Sequence, residues 1–432
     1  MTSISKYQNM NTVESNKGNF VVFVMSISLV FQYNFLFSAE YLWLNYWSGA
    51  DIRTTISFSS LLICLIVISF DINLKSIPWK FVGALAFYST YGLVVGLIKN
   101  EPSIGMAAEA IFWVEIILYI FIFASVSQDR LAKLIRIIMY YSAVNAIFSI
   151  VYFWMIRDQI AVAALVGDQR IVRVADLLAP LLILLFIIQN VVNEHKKISV
   201  IWIIPIILLV LLGFFRSVWA AFILAYILSN IFFITSKSFF RIASMAFVSL
   251  IFILGFEYIF SYFFEVDNVI LGRIIAGIGT EDSLGRISSA GDVIAQMFDE
   301  PSSVFFGAGF GKFVGFVNDF GYGPIYAMQP LATLSNYYVV FVFEVGIFLA
   351  FLYAIYVIRS VRWIMRSFNE KVAKVLLLTL FYMMAQWLTF PTTIHYPVAM
   401  IVGLFFTLAS FALPTNGANQ DFGQGFPSRR PS

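Results

Sequence analysis

Charge is what this sequence has least of. Lys and Arg supply 27 side chains and Asp and Glu 24, so 12% of the 432 residues are charged, against about 25% in an ordinary soluble domain. Hydrophobic residues make up 61%, more apolar surface than one water-soluble globule of this size can hide. The same figures exclude a disordered or collagen-like chain. A net charge of +3 is too small to suggest a nucleic-acid partner. The single cysteine, Cys64, excludes a disulfide framework and a cysteine-built metal site. Two histidines, His195 and His395, leave no His-rich metal site. There is no internal repeat, no Walker-type phosphate loop and no Rossmann glycine signature. No metal and no cofactor is therefore expected.

What is present is apolar sequence in lengths that cross a bilayer core as a helix, about 20 residues each. About twelve such stretches run over 19–38, 54–70, 81–98, 104–126, 132–156, 174–193, 198–214, 218–235, 242–263, 334–358, 372–390 and 394–413. The first lacks a small-residue cleavage site before Glu40 and reads as a retained helix. The expected fold class is all-α, a polytopic integral membrane helix bundle of about 12 transmembrane helices. Its organisation is a polar N-terminal tail over 1–18, helices 1–9 over 19–263, a large loop over 264–333, helices 10–12 over 334–413 and a polar tail over 414–432.

Orientation follows from the excess of Lys and Arg in cytoplasmic loops. With the N-terminus inside, 18 of the 27 cations fall inside, and each inside loop holds a basic cluster. Both termini are then cytoplasmic, and the large loop between helices 9 and 10 is extracytoplasmic. The outside cations are Arg53, Lys99, Arg157, Arg170, Arg173, Arg216, Arg273, Arg286 and Lys312.

Arginines that break the rule need a partner or an anionic ligand, and guanidinium binds phosphate oxygens bidentately at any working pH. Arg216 sits in Gly213-Phe-Phe-Arg216-Ser217-Val-Trp219, a minimal turn between two apolar stretches. It reads either as a snorkelling arginine with Trp219 in the interfacial belt, or as an anchor for a lipid-linked phosphate. Arg170, Arg173 and Asp176 are spaced by three and share a helical face. They read as a local ion pair, or as one paired and one substrate-binding arginine. In the long loop, Gly307, Gly309 and Gly311 follow Asp299-Glu300-Pro301. Such glycines permit either a flexible loop or a backbone that approaches a ligand closely.

Within the apolar stretches, Glu109, Glu115, Asp176, Glu257 and Glu344 are costly in lipid and must face protein or water. Glu344 follows Asn336 by about two turns and reads as a helix–helix hydrogen bond or as a general base. His395, at the start of helix 12, is the other titratable candidate for a proton acceptor.

Several motifs then line up in order. Phe215-Arg216-Ser217-Val218-Trp219-Ala220, Arg286 followed by Pro301 and Gly307-Ala308-Gly309-Phe310-Gly311-Lys312-Phe313, and Ser335-Asn336-Tyr337-Tyr338 with Glu344-Val345-Gly346 form one series. Together with the arginine-bearing stretch Arg170–Pro180, they resemble the O-antigen polymerase and O-antigen ligase superfamily, membrane glycosyltransferases acting on undecaprenyl-diphosphate-linked glycans. The resemblance covers about 168–356. Two positions depart from it. Ser335 stands where the ligase type has histidine, and Ser289, Ala290 and Gly291 lack the tryptophan that follows the loop arginine. Both departures fit a polymerase better than a ligase.

The resemblance implies a bacterial inner-membrane enzyme that joins lipid-linked repeat units of O-antigen or exopolysaccharide on the outer face. Its donor and acceptor would both be undecaprenyl-diphosphate-linked glycans. A chain-length regulator and a flippase are the partners such an enzyme would have. Arg216, Arg286, Glu344 and His395 would be catalytic. Arg170, Arg173, Asp176, Trp219 and Asn336 would bind substrate. The other classes open at this point are a ligase passing finished glycan to lipid A-core or protein, and a lipid-linked oligosaccharide flippase or other transporter.

Overall fold

A computed structural model of the protein describes residues 16–29, 49–68, 77–100, 104–155, 173–193, 196–212, 216–233, 298, 301–310, 337–387 and 396–411. The regular elements among the described residues are all helical. In chain order they are α1 (16–29), α2 (Gly49–Ile68), α3 (Trp79–Lys99), α4 (Ile104–Ala124), α5 (Gln128–Met155), α6 (Arg173–Val192), α7 (Ile204–Leu212), α8 (Arg216–Ile231), α9 (Pro301–Phe306), α10 (Tyr337–Ser367), α11 (Glu370–Trp387) and α12 (Tyr396–Phe411). Among the described residues, three stretches are long and apolar enough to cross a membrane: Trp79–Lys99, Gln128–Val151 and Phe341–Ser367.

Helices occupy part or all of each apolar stretch except 242–263, which lies outside the described residues. Their ends differ from the sequence reading for physical reasons. α10 runs on to Ser367, past the apolar stretch, because Arg359, Arg362 and Arg366 favour helix and Arg366 complements the dipole at its C-terminus. The stretch 198–214 is divided: a 3₁₀ turn over Val200–Trp202 precedes α7, whose first turn contains Pro205. Proline has no N–H to continue a helix but fits the start of one. In α6, Pro180 has no N–H to give the carbonyl of Asp176, one turn earlier.

Among the described residues, the core is one apolar cluster drawn from α1 to α8, from Ala308 and Phe310, and from α10 to α12. α8 packs along α11, and α12 packs along α4 and α6. Gly403 of α12 lies against Tyr119 of α4, so close that a Cβ there would press on the Tyr119 side chain. Phe81 of α3 stacks on Phe406 of α12 with ring centroids 3.4 Å apart. Lipid tails are as apolar as leucine, so such helices associate through close packing and small residues rather than through escape from water.

The helices sort their ends into two groups. Lys196 pairs with Asp129 at 2.6 Å, and Gln128 donates to Asn193, which joins the start of α5 to the chain after α6. Gly18 of α1 lies beside the Arg130 side chain. The start of α11 is joined to the end of α8 by Lys374, whose ammonium sits 5.2 Å from the Phe233 ring. At the other end of α4, about 30 Å away for 21 residues, Lys99 and Asn100 close α3 and hold residues 301–310. By chain direction, the first turns of α6 and α8 lie at this Lys99 end. They carry Arg173 and Asp176, and Arg216 and Trp219, respectively.

Candidate functional site

The helix α10 is broken at Gly346, whose φ of 77° and ψ of 164° belong to no helix. That region of backbone space is essentially closed to any residue with a Cβ. In an unbroken helix the carbonyls of Phe343 and Glu344 would accept from the N–H groups four residues later. Here they accept instead from Ala308 at 2.8 Å and Gly309 at 2.9 Å. The break in one element is thus filled by backbone from another.

The filling segment follows α9 and lies between α10 and α3. Its extended path depends on Gly307 and Gly309, with φ of 78° and 75°. A Cβ at Gly307 would run into the carbonyl of Glu344, and one at Gly309 into the backbone of Gly96. Phe310 donates its N–H to the Gly92 carbonyl at 2.9 Å. Its ring fills the notch left by the missing side chain of Gly92 and is fully buried. The glycine pattern in the loop therefore serves a close approach to two helices, and among the described residues it is protein backbone that the glycines approach. Gly311 lies outside the described residues.

The end of α3 completes the grip. Lys99 donates to Ser303 Oγ at 2.9 Å and to the Gly307 carbonyl at 2.8 Å. Asn100 donates to the carbonyls of Ala308 at 2.9 Å and Phe310 at 3.2 Å. Tyr91 donates its hydroxyl to the Phe306 carbonyl at 2.7 Å.

Glu344 is 1% exposed and lies about two turns into α10. Its Oε2 accepts from the Tyr88 hydroxyl at 2.9 Å. This is the helix–helix hydrogen bond that was one of its two readings. Tyr88 is held by rings on three sides: Trp113 at 4.8 Å, Phe310 at 5.5 Å and Phe341 at 5.4 Å between centroids. Such aromatic pairs add about 0.5–1.5 kcal/mol each beyond their burial. A carboxylate in a dry, aromatic-walled site polarises the hydroxyl it accepts from more strongly than it would in water. Its carboxylate has almost no exposed surface.

The other expected site residues are distributed as follows. Arg173 and Asp176 stand in the first turn of α6, and Arg216 and Trp219 in the first turn of α8. These two helices pack together, and both start at the end that holds the 301–310 segment and Glu344. Arg170, Arg286, Asn336 and His395 lie outside the described residues. Of the acids in the apolar stretches, Glu115 of α4 is fully buried, and Glu109 belongs to the same helix. Among the described residues no group of three or more His, Cys, Asp and Glu side chains is placed to hold a metal ion.

Tyr88, Lys99 and Asn100 are the residues that reading the sequence for sites passes over. Their signal was the Gly92–Gly96 pair just before a polar helix end, a pattern that marks close approach of another backbone without naming which one. Comparison with protein-family models, with curated proteins and with solved structures finds no match.

Proposed function

We propose that the protein is a polysaccharide polymerase of the inner membrane, joining undecaprenyl-diphosphate-linked oligosaccharide repeat units at the Lys99 end of a bundle of about twelve transmembrane helices. The observation that carries the reading is a convergence at one end. The first turns of α6 and α8, with Arg173 and Arg216, share that end with Glu344 and the Gly307–Phe310 segment. These belong to all four of the motifs whose order resembles the polymerase and ligase superfamily. The contact pattern supports the same orientation. Gly18, Arg130, Lys196 and Lys374, all in or beside loops expected inside, lie at one end, and Lys99 at the other.

The chemistry asks for stabilisation of a diphosphate leaving group as its charge grows, which arginines in a partly dry pocket provide. Arg216 and Arg286 take that role, with Arg170 and Arg173 as supporting cations. Trp219, Asp176 and Asn336 line the approach. The attacking sugar hydroxyl needs a proton acceptor within hydrogen-bond reach. His395 fits that role better than Glu344, whose carboxylate is enclosed with Tyr88. Glu344 then orders the helix that carries Asn336 to the site. No step in this scheme calls for a metal.

One observation favours a second reading. A helix broken near a buried acid is a mark of transporters, where unwound backbone coordinates substrate or ion. Here, however, the carbonyls at the break are bonded to Ala308 and Gly309 rather than turned to a pathway. Glycan profiling of a deletion strain separates the readings. Loss of long chains with a single repeat still attached is the polymerase result. Intact polymer left on the carrier points to a ligase, and absence of outward-facing intermediates to a flippase. Within the polymerase reading, Arg216→Ala is expected to abolish polymer while the protein still inserts. Full-length polymer from that variant overturns the role of Arg216.

A further inference from the structure

The sequence places residues 301–310 in an extracytoplasmic loop, yet their partners lie well inside two apolar helices. Gly96 and Gly92 are three and seven residues from the end of α3, or about 5 and 10 Å at 1.5 Å per residue. Gly346 lies five residues inside the apolar stretch Phe341–Ser367, about 8 Å by the same rise. The segment is thus docked below the ends of both helices.

Irregular backbone is tolerated at that depth only where its polar groups are bonded to protein. From Gly307 to Phe310 this segment largely meets that condition. The N–H groups of Gly307, Ala308, Gly309 and Phe310 donate to Ser303, Phe343, Glu344 and Gly92. The carbonyls of Phe306, Gly307, Ala308 and Phe310 accept from Tyr91, Lys99 and Asn100. A loop in water has no need of such extensive pairing.

The outer side of the segment is aromatic. Phe298, Phe305 and Phe306 are 67%, 61% and 61% exposed. The two helices that hold the 301–310 segment also expose apolar side chains: Leu97 and Ile98 on α3, Phe348 and Phe351 on α10. Exposed phenylalanines on an element gripped by two such helices are apolar surface of a kind that water-facing proteins avoid.

We propose that Phe298 and residues 301–310 form a re-entrant element of the membrane domain, with Phe298, Phe305 and Phe306 inserted among lipid acyl chains. This rests on α3 and α10 crossing the bilayer and is independent of glycosyl transfer. In this arrangement the element seals the break in α10 and shuts water out from the side of Glu344 and Tyr88 that it covers.

The test uses the full chain in lipid nanodiscs, with Cys64→Ser as background and single cysteines at Phe298, Phe305 and Phe306, each carrying an environment-sensitive fluorophore. Phe348→Cys serves as the lipid-facing reference and Lys197→Cys as the water-facing one. Doxyl-labelled lipids are expected to quench positions 298, 305 and 306 to within about twofold of position 348, with blue-shifted emission, and to leave position 197 nearly unquenched. Quenching at the level of position 197 overturns the proposal. So does emission that is blue-shifted but unquenched, because another protein surface then covers the patch. Each of the three positions is read separately on monodisperse protein, so one variant that fails to fold leaves two that decide.

Discussion

At the scale of the residue, a few glycines and one hydroxyl carry the interlock between α3, α10 and the 301–310 segment. Gly346→Ala forces a Cβ into a backbone region reserved for glycine and against the Phe305 carbonyl. It is expected to destabilise the protein by about 1–3 kcal/mol or more. Gly307→Ala meets the Glu344 carbonyl and acts alike, whereas Gly83→Ala, inside α3 with open space around it, is expected to raise stability by about 0.5–1 kcal/mol. Thermal unfolding in one detergent compares the three, and equal melting temperatures would refute the interlock. Tyr88→Phe removes the donor to a carboxylate that is 1% exposed, a loss of about 1–3 kcal/mol. Adding Glu344→Gln to it should cost much less than the two separate losses together. Strict additivity in that double-mutant cycle would mean the pair is not coupled.

At the scale of the element, α9 and the four residues after it are tied to α3 mainly through Lys99 and Asn100. Lys99→Met keeps the apolar stem and removes the bonds to Ser303 and Gly307. Faster hydrogen exchange at 303–310 is expected, with exchange in α5 unchanged; protection as in the parent would show that the ammonium is dispensable. At the opposite end, Glu370 opens α11 and is bonded to Lys374 at 2.6 Å. The Lys374 ammonium holds the exposed Glu370 carboxyl below its ordinary value. A depressed folded value means the pair's contribution is full above the unfolded pKa and fades as pH falls through the folded one. Because the pair is solvated and screened by salt, Glu370→Gln should change the melting temperature little at neutral pH. A large drop there would mean that the pair does more than cap the helix.

At the scale of the whole molecule, the two groups of helix ends make sidedness a single decision. Joining Gly18 to Arg130, and Asp129 to Lys196, ties α1 to the α4–α5 and α6–α7 connections. Fluorescent-protein and alkaline-phosphatase fusions after Ser432 and within 194–197 are expected to report the same, cytoplasmic side. Phosphatase activity at either position would invert the orientation and with it the placement of Arg216 on the outer face. A bundle in which opposite charges are so few leaves orientation to the loop cations and packing to small residues and rings.

Much of this was legible in one dimension, because hydropathy and charge are local properties. Few charges and apolar stretches of about 20 residues specify helices, and helices stand at each such stretch that the structure describes. The buried acids were also visible, since a carboxylate within apolar sequence must find a partner. Partners were not visible. Gly307-Ala308-Gly309 and Glu344-Val345-Gly346 stood out as two separate motifs, more than 30 residues apart, and the loop glycines suggested a ligand. Tyr88 lies 256 residues from Glu344 and carried no signal at all. Only the tertiary structure decided that the loop glycines answer the break at Gly346, because a broken helix exposes carbonyls whose donors can come from anywhere in the chain. Composition and apolar run length determined that this protein is helical, with stretches long and apolar enough to cross a membrane; the pairing of orphaned backbone groups, which is a property of three dimensions, decided how its loop closes on its helices.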